Sequence, residues 1–320
     1  MASAFDENSL VWKKCTACHT RDEDGKIARI EEIRTSPEEW TIIVDRMARI
    51  HGLIIGKGEM AILLKELTAT QILTPEEAAQ VSYLDLFNNP QTQESAVGTE
   101  QEQMFVTCVR CHSAGKIRSY RMTAKSWEKL RDFHIYFNPA IMSQMREMHW
   151  LTEADTALKG LAKSQPYGSA WKSAGANPAG EWLLLGNEPG KGSYRGTALL
   201  KDQGDDEYTL QGSLSFSDGM IETFSGEATL YGGYALRTRF SQNGSATMGA
   251  FRFLDGTITG EHHHNAPDFR TSSSTWFPLN KTSKALRVTP DFLISKEQTT
   301  VLIEGINLPA VSVKDIAASN

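Results

Sequence analysis

Cys15-Thr-Ala-Cys18-His19 and Cys108-Val-Arg-Cys111-His112 contain every cysteine of the chain. C-x-x-C-H is the attachment signature of a c-type haem. Two thiols three residues apart on one turn reach the two vinyl groups of a porphyrin, and the next residue presents an imidazole to the iron. Other chemistries use paired cysteines too. A zinc ribbon would employ four thiolates and leave the histidine after each pair a coincidence. The 93 residues separating Cys15 from Cys108 are also far too many for an ordinary ribbon. A redox dithiol belongs in a βαβ setting, and neither motif follows a strand-like run. The spacing therefore predicts two covalent haem c groups, bound through Cys15, Cys18, Cys108 and Cys111, with His19 and His112 as iron ligands.

The flanks of the two motifs match each other. Val11 and Trp12 precede the first as Met104 and Phe105 precede the second, one helical turn upstream, where they can pack on a haem edge. Downstream, Arg34-Thr-Ser-Pro-Glu-Glu-Trp40 echoes Arg121-Met-Thr-Ala-Lys-Ser-Trp127, each opening a helix with a Ser/Thr cap signal. Farther on, Leu73-Thr-Pro-Glu-Glu and Leu151-Thr-Glu-Ala-Asp are read as equivalent helix starts. The pattern is a duplicated cytochrome-c-like unit.

Superposing Trp40 on Trp127 aligns Met47 with His134, each seven residues further on and on the same helix face. Methionine and histidine are the usual second ligands of a low-spin haem. The expected pairs are His19 with Met47 and His112 with His134. His51 is the rival for the first iron, and Met142, Met145, Met148 and His149 are rivals for the second. Met60 and Met122 read as packing residues. A thioether favours reduced iron relative to an imidazole, so the first haem is expected at the higher potential.

The 320 residues suffice for two or three domains, and 40% hydrophobic with 22% charged residues describes a globular chain. A net charge of −6 argues against nucleic-acid binding. No apolar run is long enough to span a membrane, and no signal peptide opens the chain. Residues 164–180 are rich in Gly, Ala, Ser and Pro and read as a linker. Beyond them Tyr208, Leu210, Leu214 and Phe216 alternate with polar residues, as a half-buried strand requires. Gly232-Gly233 and Asp255-Gly256 mark two-residue hairpin turns. Roughly seven such strands predict an antiparallel barrel or sandwich. His262-His263-His264 is read as a solvated turn, because three consecutive strand residues cannot converge on one ion. Asp205, Asp206 and Glu207 are read as a solvated acidic loop. No nucleotide, serine-hydrolase or metalloprotease motif occurs, so no catalytic residue is assigned here.

The expected architecture is multidomain. An all-α dihaem cytochrome c domain covers 1–163 (repeats about 1–88 and 95–163), followed by the linker 164–180. An antiparallel β-barrel or sandwich covers 181–282, and 283–320 resembles the incomplete beginning of an immunoglobulin-like β domain.

This combination, with the Gly-rich stretch GEATLYGGYALRTRF, resembles the α subunit of quinohaemoprotein amine dehydrogenase along the whole chain. The resemblance implies a dihaem electron-transfer subunit, truncated at its C-terminus relative to the family. It implies that the amine is oxidised on a separate small subunit carrying cysteine tryptophylquinone, and that a β-propeller subunit completes a heterotrimer. All four cysteines here are committed to haem, so none is left to build such a quinone. The implied location is the periplasm, with an external copper protein or cytochrome as acceptor. The alternatives are a dihaem peroxidase and a free-standing dihaem carrier.

Overall fold

A computed structural model describes residues 3–84, 94–96, 98–173, 175–264, 270–279, 284–289, 302–306 and 308. The N-terminal half contains helices α1 (Leu10–Cys15), α2 (Pro37–His51), α3 (Glu59–Thr70), α4 (Pro75–Ala79), α5 (Thr99–Thr107), α6 (Ala114–Arg118), α7 (Ala124–Phe137), α8 (Ile141–Gln144) and α9 (Trp150–Ser164). Ser36 caps α2 by accepting from the Glu39 N–H, Pro37 fixes its first turn, and Gly52 ends it in the left-handed conformation. Thr123 caps α7 in the same way as Ser36. Each of these helices buries its tryptophan, Trp40 or Trp127, in the apolar cluster of its own repeat.

This half is not all-α, contrary to the sequence-based expectation. Strand β1 (Ile33–Thr35) pairs antiparallel with β2 (Tyr120–Met122), in the register Ile33↔Met122, Arg34↔Arg121 and Thr35↔Tyr120. Ile33 thus faces the repeat counterpart of Thr35, Thr35 faces that of Ile33, and Arg34 faces its own counterpart, so a local two-fold axis relates the two strands. Three-residue strands lying just before helix caps are too short to show an alternating pattern, which is why the sequence reads as purely helical.

The helical correspondence also shifts. The Trp40 indole N–H donates to the Gln71 carbonyl at 2.7 Å, and that of Trp127 donates to the Gln165 carbonyl at 3.0 Å. Gln71 ends α3 and Gln165 ends α9. The counterpart of α9 is therefore α3, and not α4 as the Leu-Thr match suggested. Thr74 and Glu77 do form a reciprocal capping box at the start of α4, but Leu151 and Thr152 lie inside α9, whose N-cap is His149.

The C-terminal half resolves the choice between barrel and sandwich. Strands β3 (Gly180–Glu188), β4 (Gly192–Gly204), β5 (Glu207–Phe216), β6 (Ile221–Tyr231), β7 (Ala235–Gln242), β8 (Ser245–Leu254), β9 (Thr257–His264) and β10 (Thr271–Pro278) form a closed barrel. Every neighbour is antiparallel, and β10 closes on β3. Gly232 and Gly233, at φ 57° and 72°, make the β6–β7 turn, and Asp255-Gly256 makes the β8–β9 turn. Eight strands leave an interior that side chains can fill; Trp182, Leu200, Leu210, Leu236, Phe251 and Trp276 are among those filling it. Close strand approach requires glycine at Gly226, where a Cβ would lie 2.1 Å from the Arg239 carbonyl oxygen.

The β6–β7 end of the barrel docks on the first repeat. The Tyr234 hydroxyl donates to the Leu73 carbonyl at 2.8 Å, and the Trp171 indole donates to the Gly232 carbonyl at 2.7 Å. Arg237 pairs with Glu38 at 2.6 Å, and Lys65 pairs with Glu207 at 2.6 Å. Asp205 and Asp206, both at positive φ, form the β4–β5 turn. Of the immunoglobulin-like beginning expected over 283–320, the described residues contain a two-stranded antiparallel pair, β11 (Lys284–Thr289) with β12 (Leu302–Ile306). The rest of that expectation lies outside the described residues. No described helix is long and apolar enough to cross a membrane.

Candidate functional site

Helix α1 ends at Cys15, and the chain turns so that the Cys18 and His19 N–H groups both donate to the Cys15 carbonyl, at 3.1 and 2.9 Å. In the second motif the Cys111 N–H donates to the Cys108 carbonyl at 3.4 Å. The two turns expose their thiols alike. Cys15 and Cys108 are half-buried against the two apolar clusters, while Cys18 and Cys111 are exposed. Burial pushes the Cys15 and Cys108 thiols up to about 11, so neither is a free thiolate at neutral pH. Among the described residues no three of the four cysteines come within metal-sharing distance. That removes the zinc-ribbon reading.

The histidines are oriented alike. His19 Nδ1 lies 3.0 Å from the Ala28 carbonyl, His112 Nδ1 3.2 Å from that of Ser113, and His134 Nδ1 2.6 Å from that of Leu130. A carbonyl only accepts, so Nδ1 carries the proton in each ring and Nε2 presents its lone pair. A backbone carbonyl accepting from Nδ1–H in this way fixes the orientation of a metal-ligating imidazole. Burial, foremost, holds His19 and His112 below the ordinary imidazole value, which keeps both rings neutral at neutral pH.

Haem c is the group the motifs imply, and the second site can be tested against it. The His112 and His134 ring centroids lie 6.4 Å apart, with planes inclined at 39°. Two metal–nitrogen bonds of about 2.0 Å, plus roughly 1.1 Å from each nitrogen to its ring centre, place trans imidazole centroids about 6.2 Å apart. The separation of the two rings is the one a shared iron would need. The rivals are committed elsewhere or displaced. Met145 and Met148 pack with Ile141 and Trp150, Met142 is exposed, and His149 is exposed with its Nδ1 2.7 Å from the Thr152 hydroxyl.

The first site is less closed. Met47 is half-buried on α2, outside the apolar cluster that takes up Met60. Exposed His51, one turn later, is close enough to His19 for its charge to depress that imidazole. Between the two sites the C-terminal halves of α2 and α7 meet through rings that the sequence reading did not single out. The Arg46 guanidinium sits 4.9 Å over Phe133, His51 lies 6.2 Å from Phe137, and Phe133 lies 6.0 Å from His134. The signal was available in the repeat, since Arg46 and Phe133 immediately precede Met47 and His134.

The reading of 262–264 as a solvated turn fails. These residues end strand β9, with His262 and His264 facing the barrel interior at 4% and 2% exposure. Two residues apart is the same face of a strand.

Residues 6–171 match the family model described as quinohemoprotein amine dehydrogenase A, alpha subunit, haem binding. Residues 176–272 match the model described as quinohemoprotein amine dehydrogenase, alpha subunit domain II. No curated protein matches the chain. Among solved structures, a redesigned β-barrel shares 12% identity over 34% of this chain and 100% of its own length, with a TM-score of 0.30. A de novo designed fluorescence-activating β-barrel shares 18% identity over 31% of this chain and 92% of its own, with a TM-score of 0.28.

Proposed function

Because the chain belongs to the quinohemoprotein amine dehydrogenase alpha-subunit family and carries its haem-binding domain, we propose that it is the dihaem electron-transfer subunit of such an enzyme. The observation that carries this reading is the His112–His134 spacing beside a C-x-x-C-H turn, repeated in outline at His19. When bound, haem supplies reversible one-electron chemistry, so two haems offer a stepwise exit for the two electrons released by a quinol.

The residues of this chain hold and insulate those groups. Cys15 with Cys18, and Cys108 with Cys111, would anchor the two haems through thioethers. His19 with Met47, and His112 with His134, would hold the irons. The carbonyls of Ala28, Ser113 and Leu130 fix the three imidazoles in the tautomer that leaves Nε2 free. Phe133 and Phe137, with ring centroids 4.5 Å apart, place apolar rings between α2 and α7, against Arg46 and His51. Two protein ligands at each iron would leave neither site open to substrate, which places amine oxidation elsewhere in this reading. We assign that step to a small partner subunit bearing cysteine tryptophylquinone, with a β-propeller subunit completing a periplasmic complex. An external copper protein or cytochrome receives the electrons.

The test is anaerobic mixing of the purified complex with a primary amine while the haem bands are followed. Reduction of two haems per chain, with a small quinone-bearing subunit co-purifying, is the expected result. Rapid hydrogen-peroxide turnover by the chain alone would instead establish a dihaem peroxidase.

A further inference from the structure

Glu188 ends strand β3, and His262 and His264 end strand β9; β10 lies between these strands and pairs with both. All three side chains point into one end of the barrel and are buried, Glu188 completely. One ligand atom from each lies within 4.8 Å of the other two, and His264 Nε2 is 3.7 Å from Glu188 Oε2. Ligand atoms around a tetrahedral ion at about 2.1 Å are about 3.4 Å apart, so little movement separates this cluster from a coordination shell.

Two features point to a ligand. Nε2 of His262 and Nε2 of His264 are both buried without a hydrogen-bond partner, although buried polar atoms are ordinarily satisfied. The surroundings also divide the work on Glu188. Its Oε1 takes Lys191 and Arg270, each at 2.9 Å, while among the described residues Oε2 accepts only a long bond from the Gln242 amide at 3.4 Å and faces His264. His264 Nδ1 lies 3.3 Å from the Thr247 hydroxyl, an outer contact of the kind that orients a ligating ring. Lys191 is shared with Glu222 at 2.6 Å, and the Gln242 amide bonds Glu222 at 2.5 Å, so the carboxylates behind the cluster are already neutralised.

We propose that Glu188, His262 and His264 form a binding site for one divalent transition-metal ion of the zinc class, which cross-links β3 to β9 inside the barrel. Two imidazoles and one carboxylate are a borderline donor set suited to zinc, with a fourth position left to water. The cluster is separate from the haem motifs in sequence and in strand, and it belongs to no step of the proposed electron path. Lys191 and Arg270 hold the local charge near zero before the ion enters, which sets the affinity below that of a site with free carboxylates.

The experiment uses the full haem-loaded chain, stripped with a chelator and titrated with Zn²⁺, with bound metal counted by elemental analysis alongside iron. One zinc per chain is expected, together with a rise in melting temperature on zinc addition. X-ray absorption at the zinc edge should show only N/O neighbours at about 2.0–2.1 Å, with no sulfur at about 2.3 Å. His264→Gln and Glu188→Gln should each weaken zinc binding at least about 100-fold, while His263→Ala, on the outward face, should leave it unchanged. No stoichiometric zinc uptake by the unaltered chain overturns the proposal whatever the variants do, and so does a sulfur shell. Binding unchanged in both Gln variants does the same.

Discussion

Glu77 holds together the two arginines at the centre of the pseudo-two-fold axis. Its carboxylate takes both guanidinium arms of Arg34, at 2.6 and 2.9 Å, and Arg121 Nε at 3.1 Å. The Arg34 and Arg121 side chains are only 2% and 8% exposed. Glu77→Gln isolates the charge, because glutamine still serves the capping box at Thr74. It leaves two buried guanidinium groups without a counter-charge. Removing one partner of a buried pair costs about 3–5 kcal/mol, which for a domain of this size lowers Tm by roughly 6–20 °C. Denaturant unfolding of the haem-loaded chain, followed by far-ultraviolet circular dichroism, measures this directly. The exposed pair Asp45–Arg49 is the control, with Asp45→Asn expected to cost no more than about 0.5 kcal/mol. The pH dependence gives a second readout. Burial raises the Glu77 carboxyl, but the Arg34 hydrogen bonds, the Thr74 N–H and both arginine charges outweigh it, leaving the group below its ordinary 4.5. A depressed carboxylate contributes stability above its unfolded value and loses it as pH falls through the folded one. The gap between wild type and Glu77→Gln should therefore be full at neutral pH and shrink below about pH 4.5. A neutral-pH loss under about 1 kcal/mol, or a gap that does not shrink in acid, refutes this account of the axis.

Met47→Ala should remove any far-red sulfur-to-iron charge-transfer band and leave the second haem unchanged; if His51→Ala does this instead, the first iron is held by His51. His134→Ala should convert one low-spin haem to high-spin, and an unchanged spectrum assigns the second ligand to another residue. Gly226→Ala drives a methyl into the Arg239 carbonyl and should destabilise the barrel by about 1–3 kcal/mol in a chemical melt, with a neutral effect counting against close strand approach there. Tyr234→Phe leaves the Leu73 carbonyl without its donor and should cost about 1–3 kcal/mol, read as earlier unfolding at the contact between barrel and first repeat.

How much of this was legible in the residues depends on the range over which each feature is encoded. C-x-x-C-H is complete within five residues, so the proposed haem anchors and the proposed ligands His19 and His112 are read from the chain alone. The Trp helices and their caps are likewise local. The antiparallel strands followed from alternation and glycine turns, since a period of two is visible along each strand, but an eight-stranded closed barrel in place of roughly seven strands in a barrel or sandwich did not. Met47 and His134 came from superposing one repeat on the other. The same superposition mismatched α4 with α9, because Leu-Thr is too short to discriminate between helices. The sequence by itself determined the two C-x-x-C-H motifs, the repeat that flanks them, and that the two halves differ in architecture. Only the tertiary structure decided the rest. It paired Arg34 with Arg121 across 87 positions, supplied Glu77 to both, set His134 opposite His112, and closed β10 on β3 so that Glu188 meets His262 and His264. These arrangements depend on which strands and helices meet, and that is fixed by burial and backbone pairing summed over the whole fold. No local pattern at these positions encodes it.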